Sequence, residues 1–278
     1  MKSGHLLLKN ATWFGALIVV ICGPILLTSA TQKITPLELV KRHLASIGTP
    51  QARAAIRNRI VAEPATEIPW ATPDNGAARN AFFVSEGKSI RLSLPFSARN
   101  GLGDAFVFDD KIFRSALRYD SFAPIRSDLS NFVTSYDEII KDGLMGGTLT
   151  TAWALLDSAG RRPRLEYNGL KQRGGKEYHE LRYLARKRGG DGRMRVLMYF
   201  EPKTFRHVQT EYYRAAFPTQ SNTLTEEFSD FVVVDGLTLP RTYKWRFILG
   251  NSVICDRSVT FERIQHDQQL DPKTFVIK

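Results

Sequence analysis

The alternation between Tyr243 and Leu249 sets the tightest limit on what this chain can fold into. Tyr243, Trp245, Phe247 and Leu249 share one parity, and Lys244, Arg246 and Ile248 share the other. One apolar face and one mostly charged face at a period of two is the pattern of a sheet with one side buried and one side wet. Around it, residues 193–200, 204–214, 224–234, 241–249 and 253–264 read as successive antiparallel strands. Asp235-Gly236 and Gly250-Asn251 supply compact turns between them. Further strands are expected at 81–86, 89–94, 105–109, 111–114, 149–156, 164–171 and 177–187, with Gly87-Lys88 and Asp109-Asp110 as tight turns. Hairpins without interspersed crossover helices argue against a parallel α/β fold. An antiparallel sheet of about ten strands has to curl. The expectation is a mainly β (α+β) protein: a strongly curved antiparallel sheet, or half-open β-barrel, with short helices covering its concave face.

Two helical segments interrupt the strands. Thr35-Pro36-Leu37-Glu38 is a helix start, with Thr35 as N-cap, Pro36 at the first helical position and Glu38 placed to close a capping box. Leu37, Val40, Leu44 and Ile47 then recur at helical spacing, and Gly48 is the stop; a further turn follows Pro50 up to Arg57. Residues 62–79, rich in Pro, Ala and polar side chains without a period, read as a loop. From Asp128 to Asp142 the period returns to that of a helix. Leu129, Phe132, Val133, Tyr136, Ile139 and Ile140 form its apolar stripe and Gly143 its end.

The N-terminus reads as an address. Lys2 and Lys9 precede an apolar run from Trp13 to Ile21, and Thr28-Ser29-Ala30 offers the small residues of a processing site. Residues 1–30 are therefore expected to be a signal peptide, with a retained membrane anchor as the rival reading, and 31–278 a single domain. Either outcome places the domain in the periplasm or cell envelope. The formal charge is +11, and loss of Lys2 and Lys9 would leave +9, which favours anionic surfaces such as lipid head groups. Nucleic acid is not expected. The densest basic runs, at 161–164 and 186–188, lie in or beside turns rather than interleaved with aromatics on one reading element. Of the two cysteines, Cys22 lies in the apolar leader. That leaves Cys255 as a small buried hydrophobe on the parity of Val253 and Val259 and rules out a disulfide framework.

Chemistry is thinly represented. There is no Gly-x-Ser-x-Gly elbow, and the five histidines include no pair at metal-binding spacing. His43 is expected to be a satisfied or surface histidine. Asp109-Asp110 and Asp137-Glu138 are expected to be solvated charge. No catalytic residue, metal or cofactor is assigned.

What the pattern does supply is a concave apolar wall: Phe106, Phe108, Met194, Val196, Met198, Phe200, Tyr243, Trp245 and Phe247, with the 128–142 helix as its lid. Flexible thioethers beside aromatics suit a pocket for acyl chains of varied shape. The motifs Tyr199-Phe200-Glu201-Pro202-Lys203-Thr204-Phe205, Glu211-Tyr212 and Val234-Asp235-Gly236-Leu237-Thr238-Leu239-Pro240 resemble the C-terminal half of the LolA/LolB/LppX-like lipoprotein-carrier superfamily. His43-Leu44-Ala45-Ser46-Ile47-Gly48 resembles the opening of its uncharacterised sorting-protein members. Asp110 stands where the family usually has the glycine of an Asp-Gly turn. The resemblance implies a curved sheet around an apolar cavity, closed by short helices, in a non-enzymatic and monomeric carrier of lipoprotein acyl chains or free lipids. Two rivals remain: an envelope protein using the same fold for protein contact, and a lipid-ester hydrolase.

Overall fold

The structure, a computed structural model, describes residues 34–63, 80–97, 102–115, 118–120, 123–157, 160, 163–184, 194–214 and 222–276. The proposed leader and nearly all of the loop expected at 62–79 lie outside them.

The chain opens with α1 (Pro36–Ile47) and α2 (Pro50–Ala55). Thr35 caps α1 by accepting the Glu38 N–H at 3.1 Å. The Glu38 carboxylate does not complete a capping box; it takes Arg42 one turn on, at 2.7 Å. The stripe that α1 buries is Leu39, Val40, His43 and Ile47, whereas Leu37 is 71% exposed. Leu37 and Leu39 lie two residues apart, so both cannot face inward on one turn, and the i, i+4 partner His43 goes in with Leu39. Thr35→Ala should cost about 1 kcal/mol of stability, read from denaturant melts with unchanged slope.

The first sheet holds β1 (Asn58–Ala62), β2 (Phe82–Glu86), β3 (Ser89–Ser97), β4 (Leu102–Phe108) and β5 (Phe113–Ser115). A small hairpin, β6 (Arg118–Asp120) and β7 (Ala123–Ile125), leads to α3 (Asp128–Ser135) and α4 (Glu138–Lys141). The second sheet holds β8 (Arg164–Arg173), β9 (Lys176–Leu184), β10 (Met194–Phe200), β11 (His207–Arg214), β12 (Thr223–Val234), β13 (Leu237–Leu249) and β14 (Ser252–Thr260). The chain then crosses back, and β15 (Arg263–His266) pairs with β1. The strand orders are β15-β1-β2-β3-β4-β5 and β14-β13-β12-β11-β10-β9-β8, all antiparallel, and neither sheet closes on itself.

The mainly β, antiparallel class is as the alternation predicts, although the strands divide between two large sheets instead of one. Four local expectations are corrected. Residues 253–264 are two strands in different sheets, parted at Phe261-Glu262. Residues 128–142 are two helices broken at Tyr136-Asp137, which lets Ile139 and Ile140 both be fully buried while Tyr136 stays half-exposed. Residues 149–156 form no strand; they follow a single 3-10 turn at Gly147–Leu149. β1 was not foreseen because every one of its residues is buried, and a strand covered on both faces shows no alternation. Its outer-facing Ile60 and Ala62, with Phe82 and Val84, are covered by Leu270 and Phe275 from the C-terminal stretch.

A bulge explains one misplaced face. Cys255 pairs with Phe247 but Val253 pairs with Ile248, so one residue is skipped. Val253 is thereby turned outward, 58% exposed, while Cys255 and Val259 stay buried.

Candidate functional site: the covered apolar wall

The inner face of the second sheet is built in cross-strand rows. Tyr183, Val196, Tyr212, Leu224, Phe247 and Cys255 are successive partners across β9 to β14. The next row runs Leu181, Met198, Thr210, Glu226 and Trp245. Neighbouring strands lie about 4.8 Å apart, so each row is an almost continuous strip of side chains. Seven expected wall residues, Met194, Val196, Met198, Phe200, Tyr243, Trp245 and Phe247, stand on this face, while Phe106 and Phe108 come from β4 in the other sheet. All nine are buried in one contiguous core.

The expected lid lies over that core. Ser127 caps α3 by accepting the Ser130 N–H at 2.9 Å and donates its own hydroxyl to the Asp104 carboxylate at 2.7 Å, which pins the helix start to β4. Leu129, Phe132, Val133, Ile139 and Ile140 are buried in the core, and Tyr136 packs against it half-buried. Phe132 and Phe247 have ring centroids 5.2 Å apart, so the helix touches the wall directly. A second insert was not foreseen: Leu144, Met145, Leu149, Ala152, Trp153, Ala154 and Leu155 are all buried between the sheets. Apolar side chains thus fill the space against the wall. Gly146 and Gly147 are close-approach sites. Both have positive φ, and a Cβ at Gly146 would sit 2.9 Å from the Phe83 ring.

This insert brings polar groups into the interior. Glu226 is fully buried; its Oε1 accepts the Gly146 N–H at 2.8 Å and the Tyr243 hydroxyl at 2.7 Å. Its Oε2 lies 2.5 Å from the Tyr212 hydroxyl, which is also 2.9 Å from the Leu144 carbonyl. One hydroxyl proton cannot serve both acceptors. A proton on Glu226 resolves the conflict, with Oε2 donating to Tyr212 and Tyr212 donating to Leu144. Burial supports the same state by raising the carboxyl to about 7, against the lowering effect of its hydrogen bonds. The signal was present in the sequence, since Glu226 lies between Leu224 and Phe228 on the apolar parity of β12.

His43 is a satisfied histidine, and it is buried. Its Nε2 accepts the Trp153 indole N–H at 3.1 Å, so Nδ1 carries the proton and donates to the Phe205 carbonyl at 3.1 Å. Burial lowers it to about 4. His207 stacks on Trp153 with centroids 4.8 Å apart, and its Nε2 donates to the Gln209 carbonyl at 3.0 Å. Both imidazoles are neutral and hold the insert in place. Among the described residues, no group of three or more His, Cys, Asp or Glu side chains could hold a metal ion. Cys255 is buried and its thiol is raised to about 11 by desolvation, which suits packing and not nucleophilic attack.

No protein-family model matches the sequence, and no curated protein matches it. Among solved structures, a LolA superfamily protein from Nitrosomonas europaea is 14% identical, with 87% of this chain and 98% of that one covered and a TM-score of 0.46. A DUF1329 family protein from Desulfovibrio piger is 12% identical over 87% and 98%, at 0.40. Lipoprotein LppX from Mycobacterium tuberculosis is 10% or less identical, at 9%, over 65% and 88%, at 0.26. The first of these is described as a LolA superfamily protein. At such identities the likeness is one of chain trace, and what those proteins bind does not pass from them to this chain.

Proposed function

We propose that this protein is an exported carrier that shelters the acyl chains of a lipoprotein or free lipid against the inner wall of its second sheet. The observation that supports this most is how the wall is covered. The apolar rows of β9 to β13 face two short helices and a stretch without strand pairing, in addition to the opposite sheet. Helices of eight and four residues have little stability of their own and are held by packing. An acyl chain replacing Leu129, Phe132 and Ile139 on the wall exchanges one apolar contact for another. Each methylene it removes from water contributes roughly 0.8 kcal/mol, with no covalent step. Binding then requires α3 and α4 to lift, and the affinity is set by the difference between the open and covered states. The protein acts as a monomer in the periplasm, and its basic surface favours transient contact with anionic membrane. Among the described residues, no helix is long and apolar enough to cross a membrane.

Native mass spectrometry of protein from an envelope extract should show a copurifying lipid, and a fluorescent fatty acid should bind with a blue-shifted emission. Phe132→Ala should strengthen that binding by loosening the cover. Absence of copurified lipid together with no fatty-acid binding by either protein would sink the carrier reading.

One observation favours an interaction role for the same fold. β14 is the last strand of its sheet and carries Val253 and Ile254 outward, at 58% and 43% exposure. An open edge of this kind suits pairing with a strand of another protein.

A further inference from the structure

A cavity of about 300 Å³ lies away from the lid, where α1, α2, the start of β1, the start of β13 and the buried insert meet. Ile47, Ala54, Ile56, Leu156 and Leu237 give it apolar walls, Thr148 and Thr151 line it beside them, and Arg53 and Arg59 bring two cations to it. No carboxylate is among its lining residues. A volume of about 300 Å³ is at the lower end of the range for small-molecule pockets.

Arg59 is the unusual member. It is 4% exposed, and its guanidinium donates to the Thr148 carbonyl and, at 3.0 Å, to His266 Nε2. Because Nε2 accepts, His266 carries its proton on Nδ1 and donates it to the exposed Asp235 carboxylate at 2.7 Å. That makes the imidazole neutral and leaves the nearest acid in this chain of contacts one ring away from the guanidinium. Burial pulls Arg59 down to about 10, so it remains charged at neutral pH. Arg53 is likewise held on uncharged groups, the Leu44 and Gly48 carbonyls at the end of α1. A buried cation answered only by neutral acceptors is costly unless an anion approaches it. Here the open space on the cavity side is where one can.

We infer that this cavity binds a small amphiphile, with an anionic head, carboxylate or phosphate monoester, against Arg53 and Arg59 and a tail of about eight carbons on Ile47, Ile56, Leu156 and Leu237. The site is separate from the covered wall and needs no movement of α3 or α4.

Calorimetric titration of the full chain tests it, with octanoate, octyl phosphate, octan-1-ol and inorganic phosphate, each below any micelle-forming concentration. One equivalent of octanoate or octyl phosphate should bind, and the tighter of the two identifies the head group. Octan-1-ol should bind at least about tenfold more weakly, since it lacks the charge-assisted hydrogen bonds. Inorganic phosphate, having no tail, should bind more weakly than octyl phosphate. Arg53→Met should remove most of the preference for the anion. Ala54→Phe, which adds a ring at the cavity's rim and keeps both arginines, should weaken binding at least about tenfold and leave any copurified long-chain lipid on the wall unchanged. Circular dichroism checks that each variant is folded. No octanoate or octyl phosphate binding, equal binding of octan-1-ol, or full binding by Ala54→Phe would each overturn the assignment. Loss of copurified lipid alone would count against the carrier reading and leave this one standing.

Discussion

Replacing Glu226 with Ala should lower stability by about 3–5 kcal/mol, among the largest single-site effects in the molecule. The substitution leaves the Gly146 N–H and the Tyr243 hydroxyl buried without their acceptor, and opens a void between Thr210 and Trp245. Glu226→Gln keeps the same shape. Its carbonyl can accept from Gly146 and Tyr243, and its amide can donate to Tyr212 as the protonated acid does. At pH 5 the Gln variant should stay within about 1 kcal/mol of the parent.

The pH dependence separates the two states of this acid. The folded carboxyl lies near 7, above its ordinary 4.5. Stability from Glu226 is therefore fully present below about pH 4.5 and is lost as pH rises through about 7. Across that window the parent should lose roughly 3 kcal/mol relative to Glu226→Gln. His43 and His207 act with the opposite sign, because burial depresses both. Their contribution is present above about 6.5 and falls away as pH drops through their folded values, in parent and variant alike. The difference between the two proteins isolates Glu226. Denaturant melts from pH 4.5 to 8 that run parallel would show that no proton is held there.

The second large effect is expected at Gly143. Its φ is +67°, and a Cβ there would lie 1.7 Å from the Ala152 carbonyl oxygen. The same glycine's carbonyl accepts the Ala154 N–H at 2.9 Å, so residues 143 and 152–154 clasp the two ends of the buried insert. Gly143→Ala must open that clasp, because the obstacle is backbone and cannot rotate away. A cost above about 3 kcal/mol, or a fall in Tm on the order of 10 °C, is expected. Gly87→Ala is the control: it shares a positive φ, +56°, but has nothing within 4 Å of the added methyl. That change should carry only the backbone cost of about 1 kcal/mol. Equal melting temperatures for the two variants would refute the clasp. If the insert is what covers the wall, Gly143→Ala should also raise fatty-acid uptake in the folded fraction.

What was legible in the sequence was whatever has a period. Thr35 and Gly48 bracket α1, and the strands from His207 to Leu249 follow their alternation because one face is buried and the other largely wet. Tyr243, Trp245 and Phe247 were legible for the same reason, and Leu129, Phe132 and Val133 by the helical period of α3. Periodicity fails where both faces are covered, as in β1, and where a bulge shifts the pleat, as at Val253. It fails also in the stretch from Leu144 to Leu155, whose side chains are buried from several directions with no regular element to give them a repeat.

The sequence alone determined the antiparallel class, the facing of β11 to β13 and the apolar character of the wall, since these follow from local spacing and chain stiffness. Only the tertiary structure decided that the strands divide between two sheets, that an irregular insert fills the space between them, and that Glu226 and Arg59 are left in surroundings poor in opposite charge. Those outcomes depend on contacts between residues far apart in the chain, such as Arg59 with Thr148 and His266. No local pattern encodes such contacts, because their free energy exists only once the intervening chain has been brought together.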